Sequence, residues 1–302
     1  MYILLAVLKN DIIWVVLWGI KMKELKIEVN YFNLKYTLEC GQCFRWTKED
    51  EYYIGIIKDR VIKIKQEDSH LYILSNKEED LEKVVKEYFE LSKDYESIEN
   101  RISKVDEYVK KAVSNTSGLR NLNQDLFETI ISYIISANNN IPRISKSVNE
   151  ISKRYGKKII FNEKEYYLFP TPEELKDVTI EEYRECGVGF RDKYIFNTVK
   201  EINEGKFNLD EIKELSTELL RDRLLSLMGI GPKVADCILL FSCGRQEVFP
   251  VDVWVERVMK KLYFKEVNVS KKEILKYSNK NFGSDAGIIQ QHLFYNIREN
   301  LI

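Results

Sequence analysis

The spacing of apolar positions changes once along this chain, near residue 78. Before that point the period is two. Leu25, Ile27 and Val29 alternate with charged neighbours, Tyr53 to Ile57 and Val61 to Ile64 flank Lys58-Asp59-Arg60, and Leu71 to Leu74 forms another apolar run. Such alternation predicts an antiparallel sheet with one wet face, and the charged tripeptide predicts a tight turn. After residue 78 the period becomes helical. Leu81, Val84, Val85, Tyr88 and Phe89 make one stripe, and Leu126, Phe127, Ile130, Ile131, Ile134 and Ile135 a second. Ile144, Val148 and Ile151 make a third, with Gly156 as its stop. Leu219, Leu220, Leu224 and Leu225 make a fourth, which runs into Met228-Gly229. Pro170 and Pro172 break the chain between two helices. The expected class is α+β: an antiparallel β-sheet domain with a flanking helix over residues 23–100, then a larger all-α body over 101–302.

Residues 1–22 stand apart. They are apolar, but Lys9, Asn10 and Asp11 interrupt them, and the run from Ile12 to Ile20 is too short to span a bilayer. A basic start and a cleavage site are both missing, which argues against a signal peptide. The stretch MKELKIEV opens a plausible chain at Met22. Residues 1–22 are therefore expected to be a non-native or loosely packed leader. N-terminal sequencing of the native protein checks this, and a peptide from residues 2–20 would refute it.

Composition adds mainly exclusions. The 302 residues allow a sizeable core. The 47 basic and 48 acidic residues nearly cancel, so bulk charge does not recommend a nucleic-acid partner. Any such contact has to be local, through backbone amides, helix starts and a few placed cations. Five cysteines are too few for a disulfide framework. Cys40 and Cys43 read as CxxC at a strand end, but a second pair is missing, so reduced cytosolic thiols are expected.

The most informative stretch is LLSLMGIGPKVADCILLFSCG, residues 224–244. A leucine-rich helix ends at Gly229, Gly229-Ile230-Gly231 turns, and Pro232 opens the next helix where a missing N–H costs nothing. This leaves backbone amides at a helix start, where they can bind a phosphate without side-chain charge. Lys233 sits in the first turn of that helix. The helix field disfavours a cation there and favours the uncharged amine, which can attack carbon. From position alone, a solvated lysine is the plainer reading. Asp252, ahead of the helix in PVDVWVERVMKKLY, reads most simply as its cap. An amine and a carboxylate beside one base could instead perform glycosidic chemistry.

The stretch LMGIGPKVADCILLFSCGRQEVFPVDVWVERV resembles the helix-hairpin-helix, Gly/Pro-Asp signature of base-excision DNA glycosylases, and its lysine-bearing form is similar to 8-oxoguanine DNA glycosylase. The resemblance implies Lys233 as nucleophile, Asp252 as the essential carboxylate, and Cys237, one turn after Lys233, packed on one face of the flipped base. GQCFRW (41–46) resembles the family's N-terminal signature. The Gly41 carbonyl would accept the N7–H that 8-oxoguanine has and guanine lacks. SANNNIPRIS (136–145) resembles the segment that fills the vacated stack, with Asn138 inserted and Arg143 reading the orphaned cytosine. In GVGFRDKY (187–194), Phe190 would wedge beside that cytosine and Arg191 would hydrogen-bond to it. In GIIQQHLF (287–294), Gln290 and Phe294 share a helix face. The family uses such a pair to read and stack the base.

The bland readings are a turn glycine for Gly41, a buried small hydrophobe for Cys237, a core ring for Phe294 and a solvated arginine for Arg143. Two departures from the family stand out: Trp254 where animal relatives often carry histidine, and Phe190 where tyrosine is frequent. His70 and His292 match no catalytic position and are read as surface and bystander. The implied function is excision of 8-oxoguanine opposite cytosine, through a lysine Schiff base and β-elimination, by a monomer acting on double-stranded DNA without metal, cofactor or membrane. A cytoplasmic location is expected, nucleoid-associated if the source is bacterial. The alternatives are a glycosylase of the same superfamily for other damaged bases, and a non-catalytic helix-hairpin-helix DNA-binding protein.

Overall fold

A computed structural model describes residues 8–9, 12–17, 20–265 and 267–302, with side chains from Glu24 onward except Lys213. Of the expected leader, residues 1–7, 10, 11, 18 and 19 lie outside the described residues. The backbone of Leu8–Lys9, Ile12–Leu17 and Ile20–Lys23 pairs as an antiparallel ladder.

The period-two region forms a five-stranded antiparallel sheet in the order Leu25–Glu28, His70–Ser75, Arg60–Glu67, Tyr52–Ile57, Thr47–Glu49. Ile27 stands opposite Leu71, and Ile64 opposite Ile73. These four side chains bury one face beneath the Leu81–Tyr88 helix, whose Val84, Val85 and Tyr88 close the first core. The other face is less wet than alternation suggests. Ile54 and Val61 pack on Phe161, from a hairpin formed by Lys158–Phe161 and Lys164–Tyr167. That hairpin turns at Asn162 and Glu163, both at positive φ, as a type I′ two-residue turn requires.

One local expectation is corrected. Cys40 does not end a strand; it is the C-cap of a short helix, Leu34–Glu39, that interrupts the sheet region and is N-capped by the Asn33 side chain. Cys40 and Cys43 are buried, and their thiols donate to the Thr37 and Leu38 carbonyls.

The helical body contains two further cores. One gathers Leu126–Ser136, Ile141–Tyr155, Asp192–Asn203, Thr217–Ser226 and Pro232–Ser242. The first and last of these are apolar almost all round, as befits helices surrounded by others. The other core joins Glu107–Asn115 to Val253–Tyr263, Lys271–Asn281 and Ala286–Arg298. The motifs GQCFRW, KVADC, PVD and QQHLF, from the sheet domain and both helical cores, contribute residues to one cavity.

Candidate active site

The hairpin forms as its glycines predict. The Thr217–Ser226 helix ends at Leu227, Ile230 is buried, and Pro232 begins the next helix. Gly229 has φ +85°, and a β-carbon there would lie 2.4 Å from the Tyr194 ring. Conformation and packing both demand glycine at this position. Gly231 differs: a β-carbon would meet nothing within 4 Å. As the N-cap it has no side chain to occupy the first helical amides, so these face open space.

Lys233, one residue into that helix, lines a small cavity with Cys40, Gly41, Tyr133, Cys237, Phe241, Pro250, Asp252, Gln290, Gln291 and Phe294. Both helical cores contribute to this wall, through Tyr133, Cys237 and Phe241 from one and Phe294 from the other, and Cys40 and Gly41 follow the short helix of the sheet domain. The Lys233 Nζ sits 5.3 Å from the centre of the Tyr133 ring. That ring is fixed by stacking on Phe241 and by its hydroxyl, which donates to the Gln42 carbonyl at 3.2 Å. Asp252 caps the Val253–Tyr263 helix, accepting from the Trp254 and Val255 amides at 3.0 and 2.8 Å. Both bonds fall on Oδ1, so the cap uses one oxygen of the carboxylate. Cys237 is buried, which pushes its thiol up to about 11 despite the nearby Lys233. It is therefore a neutral apolar wall at physiological pH.

Gly41 lies at φ +81°, directly after the short helix. Its neighbour Gln42 is fully buried and holds the loop: Nε2 donates to the Thr37 and Arg120 carbonyls, and Oε1 accepts from the Leu122 amide. Gln290 is 4% exposed, and its Oε1 has no hydrogen-bond partner. A buried amide oxygen left unpaired costs on the order of 1–3 kcal/mol. It gains that back from a donor-bearing ligand edge. Gln291 also lines the cavity with an unpaired Oε1, so lining alone does not separate the two glutamines. The cavity volume is about 50 Å³, well short of the roughly 300 Å³ at which ordinary ligand sites begin. A nucleobase has to widen it, and half-buried Phe294 is the side chain at its rim best placed to move.

The remaining predicted residues lie outside this cavity. Asn138 is exposed in a left-handed conformation between two helices, and Arg143 is exposed in the first turn of the second. Phe190 is 59% exposed, a large apolar side chain left in solvent. Arg191 behaves differently from the cytosine reader expected of it. It is 6% exposed and donates to the Ala137, Asn138 and Val188 carbonyls. In this state its guanidinium holds the Asn138 turn. His292 is fully buried, away from the cavity lining, and His70 lies partly buried on a strand.

Sequence reasoning missed Tyr133, Phe241, Pro250 and Gln42. Tyr133 belongs to a helix whose stripe reads as core, so its sequence position carries no signal. Gln42 sits inside a motif read only through its glycine.

Known proteins resemble this chain over both its parts. The 8-oxoguanine DNA glycosylase N-terminal domain matches residues 24–130, and the HhH-GPD superfamily of base excision DNA repair proteins matches residues 131–283. The N-glycosylase/DNA lyase of Saccharomyces cerevisiae is 31% identical over 277 residues, covering 80% of this chain and 71% of that protein. A probable N-glycosylase/DNA lyase of Methanothermobacter thermautotrophicus is 31% identical over 215 residues, 65% of this chain and 68% of its own length. The Clostridium acetobutylicum 8-oxoguanine glycosylase/lyase, solved in complex with double-stranded DNA containing cytosine opposite 8-oxoguanine, matches with a TM-score of 0.87 at 41% identity, over 97% of both chains. The chain belongs to the 8-oxoguanine DNA glycosylase family, within the helix-hairpin-helix-GPD superfamily of base-excision repair proteins.

Proposed function

We propose that this protein excises 8-oxoguanine from duplex DNA opposite cytosine and then nicks the strand, with Lys233 as nucleophile and Asp252 as the supporting carboxylate. One observation carries the reading. A single cavity is lined by Lys233, Asp252, Cys237, Gly41, Gln290 and Phe294, drawn from four separate segments. The hairpin amides at Gly231 grip the strand, and the damaged nucleotide swings out between Cys237 and Phe294. The Gly41 carbonyl accepts from N7–H, and the unpaired Gln290 Oε1 accepts from the base's Watson–Crick edge. Asn138 fills the vacated stack, and Phe190 wedges beside the orphaned cytosine. Arg143 and Arg191 donate to that cytosine's acceptors, Arg191 by exchanging one of its carbonyl bonds.

Lys233 Nζ attacks C1′ while the C1′–N9 bond breaks and its electron pair leaves with the base. Asp252 stabilises the positive charge that develops on the sugar. Ring opening gives a Schiff base between Nζ and C1′. Loss of a C2′ proton then expels the 3′ phosphate, and hydrolysis frees the lysine. Every step uses protein groups and water. A DNA substrate implies work at the chromosome, which is cytoplasmic in a cell without a nucleus; among the described residues, no helix is long and apolar enough to cross a membrane.

Borohydride trapping on duplexes carrying 8-oxoguanine opposite each of the four bases tests this. A covalent adduct, strongest opposite cytosine and lost in Lys233→Gln, is the expected result. Undiminished trapping in that variant would overturn the assignment.

A further inference from the structure

Behind Gly41 and Phe294, just outside the cavity lining, lies Arg298, the last residue of the C-terminal helix. Its side chain is 18% exposed, although it stands at a helix end. Its guanidinium carbon lies 5.5 Å from the Phe294 ring centre and 5.2 Å from that of Tyr295. Nη2 donates to the Glu39 carbonyl, 259 residues away in sequence, and Nε pairs with Glu299 at 2.8 Å. Nη1 is buried without a partner. It points at Gly41: a β-carbon on that glycine would lie 3.1 Å from Nη1 and 3.5 Å from Phe294 Cε1. One guanidinium thus touches both groups assigned to the base, a backbone carbonyl segment on one side and an aromatic ring on the other. No sequence motif points to it.

We propose that Arg298 is a positioning residue for lesion recognition, which sets the Gly41 carbonyl and the Phe294 ring at the separation an oxidised purine requires. The inference rests on the assignment of this cavity as the base pocket. The physical case starts from Gly41. A single hydrogen bond from N7–H distinguishes the lesion from guanine, and such a bond weakens steeply when bent or stretched. Gln42 anchors the loop just after Gly41, and Arg298 anchors it just before, through the Glu39 carbonyl. With only one anchor the Gly41 carbonyl is free to tilt. The same guanidinium lies against Phe294, so it also sets where that ring rests as the cavity widens. The unpartnered Nη1–H leaves an unsatisfied donor behind Gly41, ready for whichever oxygen a shift of that segment brings near.

The test separates excision from strand nicking. Lyase chemistry on an abasic site needs Lys233 and the hairpin but no base, so it does not depend on the Gly41–Phe294 spacing. Single-turnover rates are measured for Arg298→Met and Arg298→Lys on 8-oxoguanine opposite cytosine and on an abasic site opposite cytosine, with melting temperatures recorded alongside. In Arg298→Met, excision falls on the order of tenfold while lyase stays within about twofold of wild type. Arg298→Lys recovers part of the excision, because an ammonium still reaches the ring and one carbonyl. Equal loss of both activities, or no loss of excision in either variant, overturns the proposal and leaves Arg298 as a staple between elements. Should the methionine variant not fold, the same comparison in the lysine variant decides. A wild-type chain without excision overturns the functional reading itself, whereas a wild type that excises beside variants that do not split the two activities overturns only this inference.

Discussion

Asp252 caps a helix and, in the proposed mechanism, also supports the developing charge, and substitution separates the two. Its Oδ1 caps a helix through two amide bonds, which asparagine can also do. Asp252→Asn is therefore expected to keep stability within about 1 kcal/mol while losing most excision, because a neutral amide cannot stabilise a developing cation. Thermal melting and single-turnover excision on the same preparation check this. A matching loss of both would mean that the cap is the residue's whole role. His292 offers a second residue-level test. Thr116 spends its one hydroxyl proton on the Ala112 carbonyl at 2.7 Å, so at 2.7 Å from His292 it acts as acceptor and Nδ1 carries the hydrogen. The imidazole is neutral, and burial lowers its pKa from 6.5 to about 4. Between those values the unfolded chain binds the proton first. The contribution to stability is thus complete above pH 6.5 and is lost as pH falls toward 4, by roughly 3 kcal/mol at most. His292→Gln should flatten the fall in denaturation midpoint between pH 7 and 4.5, and an identical pH slope in wild type and variant would count against this account.

At the scale of elements, the hairpin and the 137–143 turn show how backbone geometry presents chemistry. Gly229→Ala adds a methyl 2.4 Å from the Tyr194 ring at φ +85°, and is expected to destabilise the fold by more than about 1 kcal/mol. Gly231→Ala meets open space and should leave the fold within about 1 kcal/mol of wild type, yet weaken DNA binding, because the methyl stands where a phosphate would approach. Equal DNA affinity in Gly231→Ala and wild type would remove the hairpin from the interface. The two arginines near the turn diverge in the same manner. Arg143 is exposed, so Arg143→Ala should relax the preference for cytosine without lowering the melting temperature. Arg191 ties the turn together through three backbone carbonyls, so Arg191→Ala should lower both stability and activity on every opposite base. Opposite-base panels and melting curves on both variants distinguish these outcomes.

The whole molecule places the candidate site between the two helical cores and the segment that follows the short helix of the sheet domain. The sheet domain supplies Gly41, the first helical core Tyr133, Lys233 and Cys237, and the second Asp252, Gln290 and Phe294. A cavity between two packing units and a loop can widen by small shifts of one against another, whereas a void inside a single close-packed core cannot. Charge at this scale is nearly balanced, at −1 overall. DNA affinity then rests on a few placed contacts, and the logarithm of the binding constant should fall with the logarithm of salt with a slope of only about −2 to −4. A slope near −10 would indicate an extensive basic surface that the balanced composition does not suggest.

What the sequence determined by itself is local. The change of period from that of a strand to that of a helix, the hairpin between two apolar helices, and Lys233 at a helix start are all encoded within a few turns of chain, where spacing dictates geometry. The resemblance of short motifs implies the partners of Lys233 without reference to the fold. Tertiary structure decided the rest. The short helix before Cys40, the hairpin over the sheet's second face, Tyr133 under the lysine, Gln42 as loop anchor, Arg191 bound to carbonyls and Arg298 against Gly41 are all settled by contacts between distant segments. Burial and hydrogen-bond satisfaction fix which polar side chain meets which backbone group, and those depend on the packed whole rather than on the pattern along any one stretch.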